Sequence, residues 1–143
     1  MSSLVTTPPQ VVYSVVVDYY NAHPKILPKP PFVSLEVLKG GVGAGTEILV
    51  KMEMFRKVLS FRAVVTEPDP GRILVETTDQ GYISTFKVEP REEGKHSYVT
   101  FTTELAENSG ISKRIEFWLT SLLLRPVYKK ELDKLAEIAA RNF

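Results

Sequence analysis

From Phe32 to Leu105 the chain alternates apolar and polar residues six times over, with only short turns between the runs. Val33, Leu35 and Val37 alternate with Ser34 and Glu36; Ile48, Val50, Met52 and Met54 with Glu47, Leu49, Lys51 and Glu53; Leu59, Phe61, Ala63 and Val65 with Ser60, Arg62, Val64 and Thr66. Ile73, Val75 and Thr77 follow, then Tyr82, Ser84, Phe86 and Val88, then Val99, Phe101, Thr103 and Leu105. A period of two is that of a strand with one dry and one wet face. Pro68-Asp-Pro-Gly71, Gln80-Gly81 and the charged Arg91–Lys95 segment supply turn chemistry. Connections this short exclude parallel crossovers, so the reading is an antiparallel meander.

Both flanks carry a different period. After Asn108-Ser-Gly110, residues Ile111, Ile115, Trp118, Leu119, Leu122, Leu123 and Val127 recur at helical spacing, and Leu132, Leu135, Ile138 and Ala139 continue the stripe. One long helix over about Ser112 to Arg141 is expected, kinked at Pro126. A dry sheet face needs a partner, and this helix is the available one. At the other end, Leu4 to Thr6 reads as a short first strand. Pro8-Pro9 opens a helix carrying Val11, Val12, Val15 and Val16, and Asp18 to Leu27 reads as a second helix broken around His23-Pro24. Pro28-Lys-Pro-Pro31 is read as a stiff extended connector. The fold class is therefore α+β, one domain over residues 1–143: a curved antiparallel sheet against a long C-terminal helix, with room between them for an apolar ligand.

Composition narrows the function. With 43% hydrophobic and 24% charged residues the chain is an ordinary globular one, and with no cysteine it can form neither disulfides nor thiolate metal sites. A net charge of +1 gives no bulk attraction to nucleic acid or anionic lipid. No stretch approaches the ~20 apolar residues of a membrane span, and the start lacks the basic and apolar regions of a signal peptide. A cytoplasmic location is the expectation; the oligomeric state is left open.

The inward set that follows from the alternation contains no Asp, Glu, Lys, Arg or His. From it and the helix stripe come the expected cavity residues: Val50, Met52, Met54, Phe61, Ala63, Val75, Thr77, Tyr82, Ser84, Phe86, Phe101, Thr103, Ile115, Trp118, Leu119 and Leu122. Met52, Met54 and Trp118 read equally as core filler. Apolar walls with a few hydroxyls suit a small-molecule pocket. General acid–base catalysis needs a positioned titratable group, and only Tyr82 qualifies there. Other motifs carry less. The glycine run Gly40–Gly45 lacks dinucleotide-binding spacing and is read as a flexible hairpin turn at the cavity mouth. His23 and His96, the two histidines, are too few for a metal site without a converging carboxylate. Asp18 is read as a helix cap and Arg62 as facing water. No cofactor or metal is expected.

Three features together carry a resemblance. A Pro-headed helix leads into Asp18-Tyr-Tyr-Asn-Ala-His-Pro24. The glycine turn Gly41-Val-Gly-Ala-Gly-Thr46 precedes a strand. The meander, with its Glu67-Pro-Asp-Pro-Gly-Arg72 turn, ends in a long helix containing Arg125-Pro126. From about Pro8 to Phe143 the chain resembles the polyketide cyclase/dehydrase branch of the START-like, or Bet v 1-like (SRPBCC), superfamily. The resemblance implies a helix-grip fold, seven antiparallel strands around a C-terminal helix with a cavity between. It implies binding of lipids, quinones, sterols or aromatic polyketides, with catalysis of cyclisation or dehydration in a minority of members. The first strand is short beside the family pattern. The leading expectation is a binder or carrier of a small hydrophobic molecule. The alternative is a cyclase/dehydrase-type enzyme, which an inward Tyr82, Arg62 or Glu104 would favour. A third is a protein-interaction module, which a broad apolar patch outside the cavity would favour.

Overall fold

The computed structural model describes residues 1–107 and 109–143; Asn108 lies outside the described residues. Strands β1 (Ser2–Val5), β2 (Phe32–Lys39), β3 (Glu47–Met54), β4 (Lys57–Asp69), β5 (Ile73–Thr78), β6 (Tyr82–Arg91) and β7 (His96–Leu105) form one seven-stranded sheet. The order is β1-β7-β6-β5-β4-β3-β2, every pair antiparallel. From β2 to β7 neighbours in sequence are neighbours in space, as the short turns demand. Only β1 breaks that order, reaching the edge of β7 because two helices intervene before β2.

Helix α1 spans Pro9–Val17, with Pro9 in the first turn, where its missing N–H has no intrahelical partner to lose. Val12, Val15 and Val16 are fully buried. Burial stabilises each by about 1.5–3 kcal/mol, more than the helix-propensity deficit of a valine, about 0.7 kcal/mol at most. Helix α2 is a single turn, His23–Ile26, shorter than the Asp18–Leu27 expectation. It starts at His23-Pro24 instead of breaking there, because proline is at home in a first turn. Asp18 accepts hydrogen bonds from the backbone of Tyr20, Asn21 and Ala22, shaping the turn before α2. Pro28–Pro31 is not extended: it folds into a turn closed by Phe32 N–H donating to the Pro28 carbonyl at 3.1 Å.

Helix α3 spans Ile111–Asn142 and runs through Pro126. Its C-terminal half packs Leu132, Leu135 and Ala139 into a core with Val12, Val15, Val16, Tyr19, Ile26, Phe86, Val88 and Val99. This core lies between the helices and the β1-β7-β6 side of the sheet.

The glycine run between β2 and β3 is tied down away from the cavity, not a flexible turn at its mouth. The Gly41 carbonyl accepts from Tyr19 N–H at 2.9 Å, Gly43 N–H donates to the Val17 carbonyl at 3.0 Å, and Ala44 N–H donates to Glu67 Oε2 at 2.8 Å. Tyr13 Oη donates to the other Glu67 oxygen at 2.7 Å, so one carboxylate clamps α1 to the loop. A Cβ on Gly41 would stand 1.9 Å from the Tyr20 ring, at a φ of +142°. The close approach of loop and ring is what requires glycine there.

One strand is in the opposite phase to that expected. In β5 it is Leu74 that is fully buried, paired with Phe86, while Glu76 pairs with Ser84 and with Val65. Paired residues share a face, so Leu74, Glu76 and Thr78 point inward and Ile73, Val75 and Thr77 outward. The sequence Ile-Leu-Val-Glu-Thr-Thr fits both phases. The irregular pairing between Thr66 and Asp69 sets which one closes the ladder. Leu74→Ala is expected to cost about 2–5 kcal/mol of stability, and Val75→Ala no more than about 1 kcal/mol. Urea unfolding of both variants checks this, and a reversed order would put Val75 inside.

Candidate functional site

A cavity of about 420 Å³ separates the concave face of the sheet from α3. Ile48, Val50, Met52 and Met54 of β3, Leu59, Phe61 and Ala63 of β4, and Phe32 and Leu35 of β2 supply an apolar wall. Across it stand Phe117, Thr120, Ser121, Leu124 and Tyr128 of α3. Phe61 meets Tyr82 edge-on at 5.9 Å, and Tyr82 stacks with Phe117 at 5.9 Å, so three rings line one end. The β3–β4 turn borders that end, with Phe55 and Arg56 both at positive φ. This two-residue geometry suits a hairpin's twist but is sparsely populated by bulky residues. Phe55 and Leu59 are both exposed and line the cavity, so the cavity meets solvent there.

The other end is polar. Glu76, Ser84 and Thr103 are successive partners across β5, β6 and β7 and form one rung facing the cavity. Ser84 Oγ and Thr103 Oγ1 are 3.2 Å apart. Tyr19 donates its hydroxyl to Glu76 Oε2 at 2.9 Å. His23, 1% exposed, stacks on Tyr19 with ring centroids 4.3 Å apart and meets Phe86 edge-on. Its Nδ1 lies 2.6 Å from the Val16 carbonyl. Only an N–H can meet a carbonyl, so Nδ1 carries the proton and in the neutral ring Nε2 is an acceptor. Glu131 of α3, 4% exposed, lines the same end. Burial, reinforced by the Glu76 carboxylate, raises its pKa well above the ordinary carboxyl value. The same two causes, burial first and Glu76 second, raise that of Tyr19.

The structure sorts the expected cavity residues into two groups. Val50, Met52, Met54, Phe61, Ala63, Tyr82, Ser84, Phe101 and Thr103 line the cavity. Val75 and Thr77 do not, being on the outer face of β5. Phe86 does not either: it is core, its ring tilted 43° against Phe101 with centroids 4.6 Å apart. Ile115, Trp118, Leu119 and Leu122 lie on the solvent side of α3, with Trp118 62% exposed. Between Ile115 and Leu124 the helix is apolar nearly all round, so periodicity marks a helix without saying which arc turns inward. The inward arc is Phe117, Thr120, Ser121, Leu124, Tyr128 and Glu131, spaced three and four apart. Arg62 and Glu104 face away from the cavity, Arg62 paired with Glu47 at 3.8 Å.

The expectation of a cavity wall without titratable groups is overturned: His23, Glu76, Glu116, Glu131 and Lys57 all line it. For Glu76 the sequence offered only an unresolved strand phase. Glu131, read with its neighbours as a solvated face, falls four residues after the apolar Val127 and four before Leu135, and that spacing is the signal that could have found it. Among the described residues no three His, Asp or Glu side chains converge to hold a metal ion, and no helix is long and apolar enough to cross a membrane.

A seven-stranded sheet gripping a long helix around a cavity defines a Bet v 1-like, START-type protein. The family model for polyketide cyclase / dehydrase and lipid transport matches residues 1–140, and the chain belongs to that family. Among solved structures, KanY is similar with a TM-score of 0.81 and 25% identity, covering 98% of this chain and 94% of that one. The Zhui aromatase/cyclase from Streptomyces sp. R1128 shares the fold with a TM-score of 0.73 at 13% identity, covering 99% and 92%. Ara h 8.0201 does so with a TM-score of 0.64 at 15% identity, covering 99% and 95%. No curated protein matches the chain in sequence.

Glu131 gives the empty protein a specific pH dependence. Its pKa is higher folded than unfolded, so between the ordinary carboxyl value and the raised one the folded state holds the extra proton. The stability contributed by neutral Glu131 is complete below the ordinary value and declines as pH rises toward the raised one. Glu131→Gln should flatten this decline, so the melting temperature of the variant overtakes the wild type as pH rises from about 4.5. Parallel melting curves across that range would show Glu131 to be ionised in the fold.

Proposed function

We propose that the protein binds a small amphipathic molecule, with its apolar body against Met52, Met54, Phe61 and Phe101 and its polar end among Glu76, Glu131, Ser84 and Thr103. The observation carrying this reading is the cavity itself. A void of about 420 Å³ lined mainly by methionine, aromatic and aliphatic side chains forfeits packing that the fold otherwise maintains. The size and lining are those of a small-molecule site, and the family includes lipid transport in its description.

A second reading, an enzyme of the cyclase/dehydrase type, is favoured by one observation. Glu131, whose pKa burial raises, and the acceptor Nε2 of His23 line the same end of the cavity, where they could give and take a proton. Activated polyketide-like substrates incubated with the wild type and Glu131→Gln test it: turnover that Glu131→Gln abolishes supports the enzyme, and no turnover leaves binding alone.

For the binding reading, native mass spectrometry of freshly purified protein should show a mass above that of the chain, released on denaturation as one ligand class. Val50→Trp adds bulk inside the cavity and should lower ligand occupancy by about tenfold or more while the protein stays folded by circular dichroism. An occupancy unchanged by Val50→Trp would place the ligand outside the cavity.

A further inference from the structure

The polar end of the cavity is unbalanced in charge and in hydrogen bonding. At this end the lining residues Glu76 and Glu131 are carboxyls, while the one lysine, Lys57, lies with the exposed Glu116 toward the aromatic β3–β4 end. The inner donors are already engaged: Tyr19 Oη–H donates to Glu76 and His23 Nδ1–H to Val16. The Ser84–Thr103 pair leaves one hydroxyl proton over, so what predominates facing the cavity is acceptor capacity, on Glu76, on His23 Nε2 and on Glu131. Glu131 is buried on all sides but the cavity, and among the described residues no hydrogen bond reaches its carboxyl. Its oxygens are open to the cavity, where an occupant can pair with them. Among the described residues no converging triad of ligands fits a metal ion. A carboxylate-bearing ligand would meet two acidic groups of its own kind.

We propose that the ligand is a lipophilic cation, an apolar body carrying a protonated amine, and that its ammonium group lies between Glu131 and Glu76 with His23 Nε2 as a further acceptor. This rests on the binding reading above. An ammonium has three donors and no acceptor, the complement of this end. Its desolvation inside the cavity is offset by pairing with carboxylates, which a neutral head does not need. At a pH below its raised pKa, Glu131 of the unliganded protein carries a proton; on binding, that proton leaves to solvent and the carboxylate pairs with the ammonium. Of the titratable groups coupled to Glu131, Tyr19 lies in the segment before α2, Glu76 on β5 and Tyr128 on its own helix, and His23 lines the same cavity; none of these is a lysine or arginine that would take the ligand's place.

Calorimetric titration with three probes of one shape tests this: 1-naphthylmethylamine, 1-naphthylmethanol and 1-naphthoate. The amine should bind about tenfold or more tighter than the alcohol, and the acid weakest. Repeating the amine titration in buffers of different ionisation enthalpy should show about one proton released per ligand. Glu131→Gln and, independently, Glu76→Gln should bring the amine-to-alcohol ratio toward one. Alcohol binding as tight as amine binding overturns the proposal while leaving the binding reading intact, and so does a ratio that both variants preserve. If none of the three binds, the binding reading falls and this inference falls with it.

Discussion

The structure depends on how one end of a single helix is anchored. Leu132, Leu135 and Ala139 of α3 pack against the valines of α1, the α2 turn and the β1-β7-β6 side of the sheet. That contact holds the C-terminal half of α3 rigidly and projects the N-terminal half over the remaining concave face. There the helix does not close onto β3 and β4, and the gap is the cavity. The fold therefore maintains an unfilled space because the core at its other end is well filled.

Burial of charge-bearing groups follows from the same arrangement. Glu76, half-buried, lies on the inner face of β5 opposite Val65, where partners offset its lost hydration. Tyr19 provides one, and Tyr19 is itself held by the Gly41 carbonyl and by stacking on His23. The glycine loop, the α1–α2 turn and the acidic end of the cavity thus form one connected unit. Glu67 secures its outer side by accepting from both Tyr13 and Ala44. A change in the loop would reach the cavity through Tyr19, not through any direct contact.

Family membership constrains the chemistry without choosing it. The fold provides a cavity, and within it this chain places three carboxyls, one histidine and a rung of hydroxyls. That set differs from a purely apolar container.

Strand number, antiparallel order, the helix at each flank and the enclosing shape were legible in the sequence, because alternation and helical spacing are local patterns set by side-chain geometry. The walls on β3, β4, β6 and β7 were legible for the same reason. The phase of β5 was not: Ile73-Leu-Val-Glu-Thr-Thr78 alternates in either register, and the choice is made by a bulge in β4 and by a tyrosine 57 residues away. The inward arc of α3 was not legible either. Ile115, Trp118, Leu119 and Leu122 are as apolar as the residues that turn inward, and only the seating of the helix's far end rotates Phe117, Leu124 and Glu131 toward the sheet. Local pattern determined which elements form. Long-range contacts decided which face each ambiguous element presents, and so decided that the cavity is acidic.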